Sequence, residues 1–142
     1  MKSVLTSKAA ATALILNLAL GNFILLVGSQ MRWESVLQIG PSIGAAVVLI
    51  MGFKRAERLR KGWHAAFLGV GCTLLAPIVG MFLVGLAMAL QSEESAGAML
   101  GQALLSAVLF GGMGGWWFTP PFLFFNMPAF YLHWRASGTG RQ

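Results

Sequence analysis

The stretch AAFLGVGCTLLAPIVGMFLVGLAMAL at residues 65–90 is 26 residues long and contains no charged side chain. At about 1.5 Å per residue, a helix of this length exceeds the roughly 30 Å hydrocarbon core of a bilayer. Three further uncharged runs occupy residues 9–28, 36–53 and 96–118, and each is long enough to cross as well. The sequence therefore predicts one membrane domain over residues 1–142, an all-α integral membrane four-helix bundle.

The composition agrees with this prediction. Hydrophobic residues make up 57% of the chain and charged residues only 10%, whereas a typical soluble domain carries about 25% charged residues. A soluble protein would have to bury four uncharged helices completely, and too little chain remains to cover them. We therefore expect no soluble catalytic domain, and the basic net charge is not interpreted as a sign of nucleic-acid binding.

The basic residues predict the orientation of the bundle. If the connection between the second and third spans is cytoplasmic, Arg32 is the only basic residue expected on the opposite side. Such an excess of Lys and Arg is typical of the cytoplasmic side, so both termini are expected there. The cytoplasmic basic residues would be Lys2, Lys8, Lys54, Arg55, Arg58, Arg60, Lys61, Arg135 and Arg141. The small size and short connections favour a bacterial inner membrane.

The N-terminal run has an alternative interpretation as a signal peptide, because Lys2 and Lys8 precede it. Its 20 apolar residues exceed the usual 7–15 of a signal peptide, and it contains Asn17 and Asn22. We interpret residues 9–28 as a retained first helix.

The C-terminal part of the chain is unusually aromatic, with ten of the sixteen aromatic residues between positions 110 and 134. Thr119, Pro120 and Pro121 interrupt it, and residues 122–134 are too few for an easy fifth span. We expect residues 122–134 to form an interfacial or re-entrant segment that contributes to an aromatic belt at the headgroups. A continuation of the fourth helix, and a docking surface for a lipid, pigment or partner helix, remain alternatives.

Small residues recur at helical spacing and predict close helix packing. Two GxxxG patterns lie in the second and fourth runs, and small residues continue along the fourth. Such residues let helix backbones approach closely, within the bundle or against a partner chain. The residues concerned are Gly40, Gly44, Gly97, Gly101, Ala103, Ala107, Gly111 and Gly115.

Polar residues within the runs form a candidate intramembrane cluster of Asn17, Asn22, Ser42 and Gln102. From their depths we expect Asn22 and Gln102 to face the interior and to approach each other. The cluster would be either a structural hydrogen-bonded contact or a polar constriction for a small molecule. Pro77 lies near the middle of the third run and is a candidate kink.

The basic connection contains Lys54, Arg55, Arg58, Arg60 and Lys61. These residues are expected to set topology, and they would also attract anionic membrane lipid.

No catalytic, cofactor-binding or metal-binding pattern is present. The runs contain no Asp, Glu, Lys or Arg, which argues against an ion-coupled pump or a proton relay. The single Cys72 is interpreted as a small buried hydrophobe, and His133 is expected among the headgroups. We therefore expect a non-enzymatic protein without cofactors, an accessory subunit of a larger membrane complex or a homo-oligomer. The alternative is a small channel or permease for a neutral or weakly polar solute.

Overall fold

The computed structural model describes residues 7–28, 39–91 and 95–138, and within them every regular element is helical. The elements are α1 (Lys8–Gly28), α2 (Ile39–Ala56), α3 (Gly62–Gln91), α4 (Ala96–Ser106), a π-helical segment (Ala107–Gly114) and α5 (Gly115–Ala136). The predicted all-α class is confirmed. The four-span membrane arrangement stays a prediction, and residues 36–38 of the second predicted run lie outside the described residues.

The helix that begins at Ala96 does not end at the Thr-Pro-Pro sequence, but continues through the π-helical segment and α5 to Ala136. The expected interruption at Pro120 and Pro121 is therefore wrong. Proline removes a backbone donor, but a helix tolerates this loss where neighbouring helices and π-helical adjustments satisfy the freed groups. Residues 122–134 thus belong to α5, which packs against α1 and α3.

Helix α3 lies at the centre of the fold and packs against α2, α4, the π-helical segment and α5. Glycine permits its closest contacts. A Cβ added to Gly44 of α2 would lie 2.6 Å from the Cα of Gly80, and one added to Gly85 would lie 2.7 Å from the Cα of Ala103. At such separations only glycine leaves room for the neighbouring backbone, so these positions bring the helices together.

The interior is divided unevenly between the two ends of the bundle. The packed half (residues 8–17, 48–76 and 122–136) brings together α1, α2, the first part of α3 and the second part of α5. Its core is a continuous cluster of Ala10, Ala13, Leu14, Val48, Leu49, Phe53, Ala56, Ala65, Cys72, Ala76, Ala129 and Phe130. The open half (residues 77–91 and 95–113) pairs the second part of α3 with α4 and the π-helical segment, and its buried hydrophobic residues include Val84, Ala103 and Ala107.

The long C-terminal helix leaves α3 between these halves. A Cβ on Gly111 would lie 2.6 Å from the Cα of Ile78, whereas Asn126 bonds to Thr73. At about 1.5 Å per residue, the fifteen residues from Gly111 to Asn126 span about 22 Å, but Thr73 and Ile78 are only about 7.5 Å apart along α3. The helix therefore does not run parallel to α3 across this region. The C-terminal helix turns away from α3 at the π-helical segment and at Pro120 and Pro121. Both π-helical segments and prolines are known causes of helix bending.

Two helical segments of the described chain are long and apolar enough to cross a membrane, Gly62–Leu86 and Ala96–Met113. Lys8–Phe23 is apolar but shorter. Only 33% of the first segment's most apolar window and 18% of the second's is buried inside the protein. The other described residues of both stretches are partly or fully exposed, and full exposure is more common in the second.

Candidate functional site

Three helices contribute to a buried polar cluster, which we call the amide cluster (Asn17 of α1, Thr73 of α3 and Asn126 of α5). Asn17 Nδ2 donates to Asn126 Oδ1 at 2.6 Å, and Asn126 Nδ2 donates back to Asn17 Oδ1 at 3.1 Å. Asn126 Nδ2 also donates to Thr73 Oγ1 at 2.9 Å. All three side chains are buried, and Asn126 is 0% exposed.

The backbone satisfies the remaining donors of this cluster. Asn17 Nδ2 also donates to the carbonyl of Ala13, and Thr73 Oγ1 donates to the carbonyl of Gly69, each at 2.7 Å. An amide carries two N–H donors and a hydroxyl carries one, so every donor of the three side chains has an acceptor. The arrangement joins helices α1, α3 and α5 and leaves no donor available for a solute.

A second group of polar contacts closes the same end of the bundle and fixes the connection between α2 and α3. His133 Nε2 lies 3.1 Å from Glu57 Oε1, and Trp134 Nε1 donates to the carbonyl of Leu59 at 2.7 Å. Beneath them the rings of Phe53 and Phe130 stack with their centroids 4.1 Å apart. The end of α5 therefore covers this end of the core and anchors the connection.

The expected position of His133 among headgroups is wrong, because its side chain is only 2% exposed. Its ring meets Phe53 edge-on, with 5.2 Å between the centroids. Nδ1 of His133 is buried and has no hydrogen-bond partner within the described residues. The sequence carried a signal for the pairing of His133, since Glu57 is the single acid within the basic connection.

Asn22 and Gln102 do not face the interior as expected, because both are exposed. Asn22 is exposed, donates from Nδ2 to the carbonyl of Leu18 at 2.8 Å and accepts from Ser42 Oγ at 2.7 Å. Gln102 is exposed on α4, which packs against α3. Of the four residues in the predicted cluster, only Asn17 is buried. Its partner Asn126 is not among the predicted residues. The sequence carried a signal for it, since Asn126 is the only Asn or Gln between positions 103 and 141.

The small residues of the fourth run fall into a buried set and an exposed set. Ala103, Ala107 and Gly111 are buried, and Ala103 and Gly111 meet α3. Gly97 and Gly101 are exposed, and an added Cβ would meet nothing within 4 Å at either one. The structure therefore uses one face of α4 within the chain and leaves the other open. In the other helices, Gly44 contacts Gly80, Gly40 lies near the start of α2, and Gly115 begins α5.

The five basic side chains at the α2–α3 connection are exposed. Lys54, Arg55, Arg58, Arg60 and Lys61 are all exposed, at the end of the bundle where α1 begins and α5 ends. Lys2, Arg32 and Arg141 lie outside the described residues. Pro77 is half-buried within α3, which continues through it, and the predicted kink stays a prediction.

In the part of the chain that the structure describes, no three His, Cys, Asp or Glu residues come together as a metal site would require. No family model, curated protein or solved structure matches the chain.

Proposed function

We propose that this chain is a multi-pass integral membrane protein without catalytic activity, which acts by assembling through the open face of α4. The product of assembly is a homo-oligomer or a larger membrane complex in which the chain is an accessory subunit. Its residence is a bacterial inner membrane, with both termini and the basic connection on the cytoplasmic side.

The exposure of the apolar helices supports a membrane location. A core helix of a soluble protein is mostly buried, whereas only 33% of the most apolar window of Gly62–Leu86 and 18% of that of Ala96–Met113 is buried inside the protein. Signal sequences lie near the N-terminus, and neither segment does. Large exposed side chains on α4 and the π-helical segment include Leu100, Leu104, Leu105, Val108 and Met113. Such a surface needs lipid or another protein around it.

The observation that carries the proposal of assembly is the open glycine pair Gly97 and Gly101. The other close-packing glycines, such as Gly85 and Gly111, already meet a backbone atom of a neighbouring helix. Gly97 and Gly101 are four residues apart on one face and meet nothing, while Leu104 and Val108 extend that face. A GxxxG pattern surrounded by larger apolar side chains is the surface through which membrane helices associate closely.

The mass of the full-length protein after gentle detergent extraction tests this proposal. We expect an integer multiple of the chain mass or a heteromeric mass, and we expect Gly97→Leu combined with Gly101→Leu to lower the assembled fraction. Gly21→Leu combined with Gly71→Leu is the matched control, because those glycines also meet nothing within 4 Å but lie on other helices. A monomer without a co-purifying partner, or equal loss in both double variants, would contradict assembly through α4.

The channel or permease alternative has less support. The amide cluster has no donor left for a passing solute, and the Asn22–Ser42 pair is exposed rather than enclosed. Solute flux through proteoliposomes of the wild-type protein, abolished by Asn22→Leu without loss of assembly, would favour the alternative.

A further inference from the structure

A groove runs between α1 and α5 on the outside of the packed half. Five residues of each helix line it, its volume is about 500 Å³, and it is largely open to the outside. Small residues such as Ala13 and Ala129 form its buried floor, and larger exposed ones such as Leu16, Phe124 and Leu132 form its walls. Its only charged lining residue is Lys8.

A second cation lies level with Lys8. Helices α1 and α5 are antiparallel, and the pairing of Asn17 with Asn126 fixes their register. Lys8 is nine residues before Asn17, and Arg135 is nine residues after Asn126, so both lie about 14 Å from the pair along the helices. Arg135 is exposed and follows Pro128 by seven residues, about two helical turns, so it shares the face that carries the groove.

The groove is therefore apolar along its length and positively charged at one end. The first turn of α1 adds the positive end of the helix dipole at the same place. One leaflet of a bilayer has a hydrocarbon thickness of roughly 15 Å, half of the total of about 30 Å. The distance from the two cations to the level of the Asn17–Asn126 pair matches this thickness.

We propose that the groove binds one anionic phospholipid of the cytoplasmic leaflet. The headgroup phosphate lies between Lys8 and Arg135, and one acyl chain lies on the floor formed by Ala13 and Ala129. This site is separate from the exposed residues of the α2–α3 connection and from the open face of α4. It rests on the proposed membrane location but does not depend on assembly.

Lipid binding to the purified full-length protein tests the site, measured by native mass spectrometry with phosphatidylglycerol and phosphatidylcholine of identical acyl chains. We expect one phosphatidylglycerol to bind in preference to phosphatidylcholine. Lys8→Gln and Arg135→Gln should each weaken phosphatidylglycerol binding about fivefold, the effect of one basic residue near anionic lipid. Arg60→Gln is the matched charge control, since Arg60 is exposed at the same end but does not line the groove. Its effect should be clearly smaller.

The acyl chain has its own test. Thr12→Trp fills the groove at an exposed position without changing charge, and it should weaken binding of both lipids. Met51→Trp, at an exposed position of α2 outside the groove, should not. Should Thr12→Trp disturb folding, as judged by helical circular dichroism, the two charge variants alone still decide the headgroup site.

Three results would overturn the proposal. Equal binding of the two lipids excludes a headgroup site, and equal losses in Arg60→Gln and Lys8→Gln indicate diffuse attraction rather than a groove. Binding that survives Thr12→Trp unchanged in a folded protein excludes the groove as the location. If the protein needs detergent but shows any of these results, only the groove proposal fails; if it stays in solution without detergent, the membrane location fails too.

Discussion

The packed half and the open half both consist of long apolar helices, but they bury very different side chains. In the packed half, parts of four helices surround large residues such as Leu49, Phe53 and Phe130. In the open half, α3 and α4 approach closely through Gly85 and Ala103, and large side chains such as Leu104 point outward. Apolar composition thus does not determine burial. The number of neighbouring helices and the size of the residue at the contact do.

The proposed membrane location gives a physical reason for this difference. Lipid tails are as apolar as leucine, so there is little hydrophobic driving force between helices, and close packing must supply the stabilisation. A large side chain enclosed on all sides makes dozens of weak attractive contacts, whereas two glycine-lined backbones make fewer. We therefore expect most of the stability to reside in the packed half and the open half to remain available for association.

The largest expected effect is that of Phe130→Ala in the packed half. Phe130 is 0% exposed, stacks on Phe53 and lies against the positions of Gly52 and Gly69. Truncation of a buried Phe leaves a cavity and typically costs about 3–5 kcal/mol. The free energy of unfolding in mild detergent should fall by about this amount, measured by denaturant titration followed by circular dichroism.

Phe124→Ala is the control for Phe130→Ala, on the same helix and with the same atoms removed. Phe124 is 84% exposed, so its loss should change the free energy of unfolding by no more than about 0.5 kcal/mol. If the two variants lost similar free energies of unfolding, enclosed and outward-facing side chains of α5 would contribute equally to stability, which contradicts the prediction.

The next effect concerns the tight contact of the open half. Gly85→Ala places a methyl group 2.7 Å from the Cα of Ala103 and 2.9 Å from Ser106, so α3 and α4 must separate. Overpacking of this kind costs about 1–3 kcal/mol. Thermal unfolding in detergent should report the loss, and cross-links between cysteines introduced in α3 and α4 should form less readily.

Gly71→Ala provides the comparison on the same helix, because its added methyl group meets nothing within 4 Å. It should leave the free energy of unfolding within about 0.5 kcal/mol of the wild-type value. If Gly85→Ala were equally harmless, α4 would not be held against α3 by this contact, and the open half would be looser than its geometry indicates.

The helices of the fold were largely predictable, because uncharged runs of sufficient length have few alternatives to helix. The predicted runs at 9–28 and 65–90 agree closely with Lys8–Gly28 and Gly62–Gln91. The path of α5 was not predictable from the same rule. Pro120 and Pro121 favour a helix end by local chemistry, but contacts with α1 and α3 outweigh that preference.

The polar contacts were predictable as residue types but not as pairs. The sequence predicts Asn17 as an intramembrane amide but not its partner Asn126, because residues 122–134 are too few for an easy fifth span and are expected at the membrane interface. Pairing depends on which helices are neighbours and on their rotation, and neither follows from depth along a run. For the same reason depth alone predicts Gln102 as the partner of Asn22, whereas in the structure Ser42 of α2 donates to Asn22.

A smaller effect than that of Phe130→Ala is expected from Asn126→Leu, which removes a buried polar contact rather than a packed ring. The substitution deletes three hydrogen bonds, but Asn17 keeps its bond to Ala13 and Thr73 keeps its bond to Gly69. Partial compensation should hold the loss to about 1–2 kcal/mol in the free energy of unfolding.

Asn22→Leu deletes an exposed pair instead, and interhelical hydrogen bonds in membrane proteins average about 0.6 kcal/mol. Its effect should therefore be smaller than that of Asn126→Leu in the same detergent titration. A larger loss from Asn22→Leu would mean that the pair with Ser42 is enclosed in the assembled protein, because an exposed amide has water or headgroups as substitutes and an enclosed one does not. That outcome would indicate that the Asn22–Ser42 pair is buried in an interface between chains. Assembly would then involve α1 and α2 rather than α4.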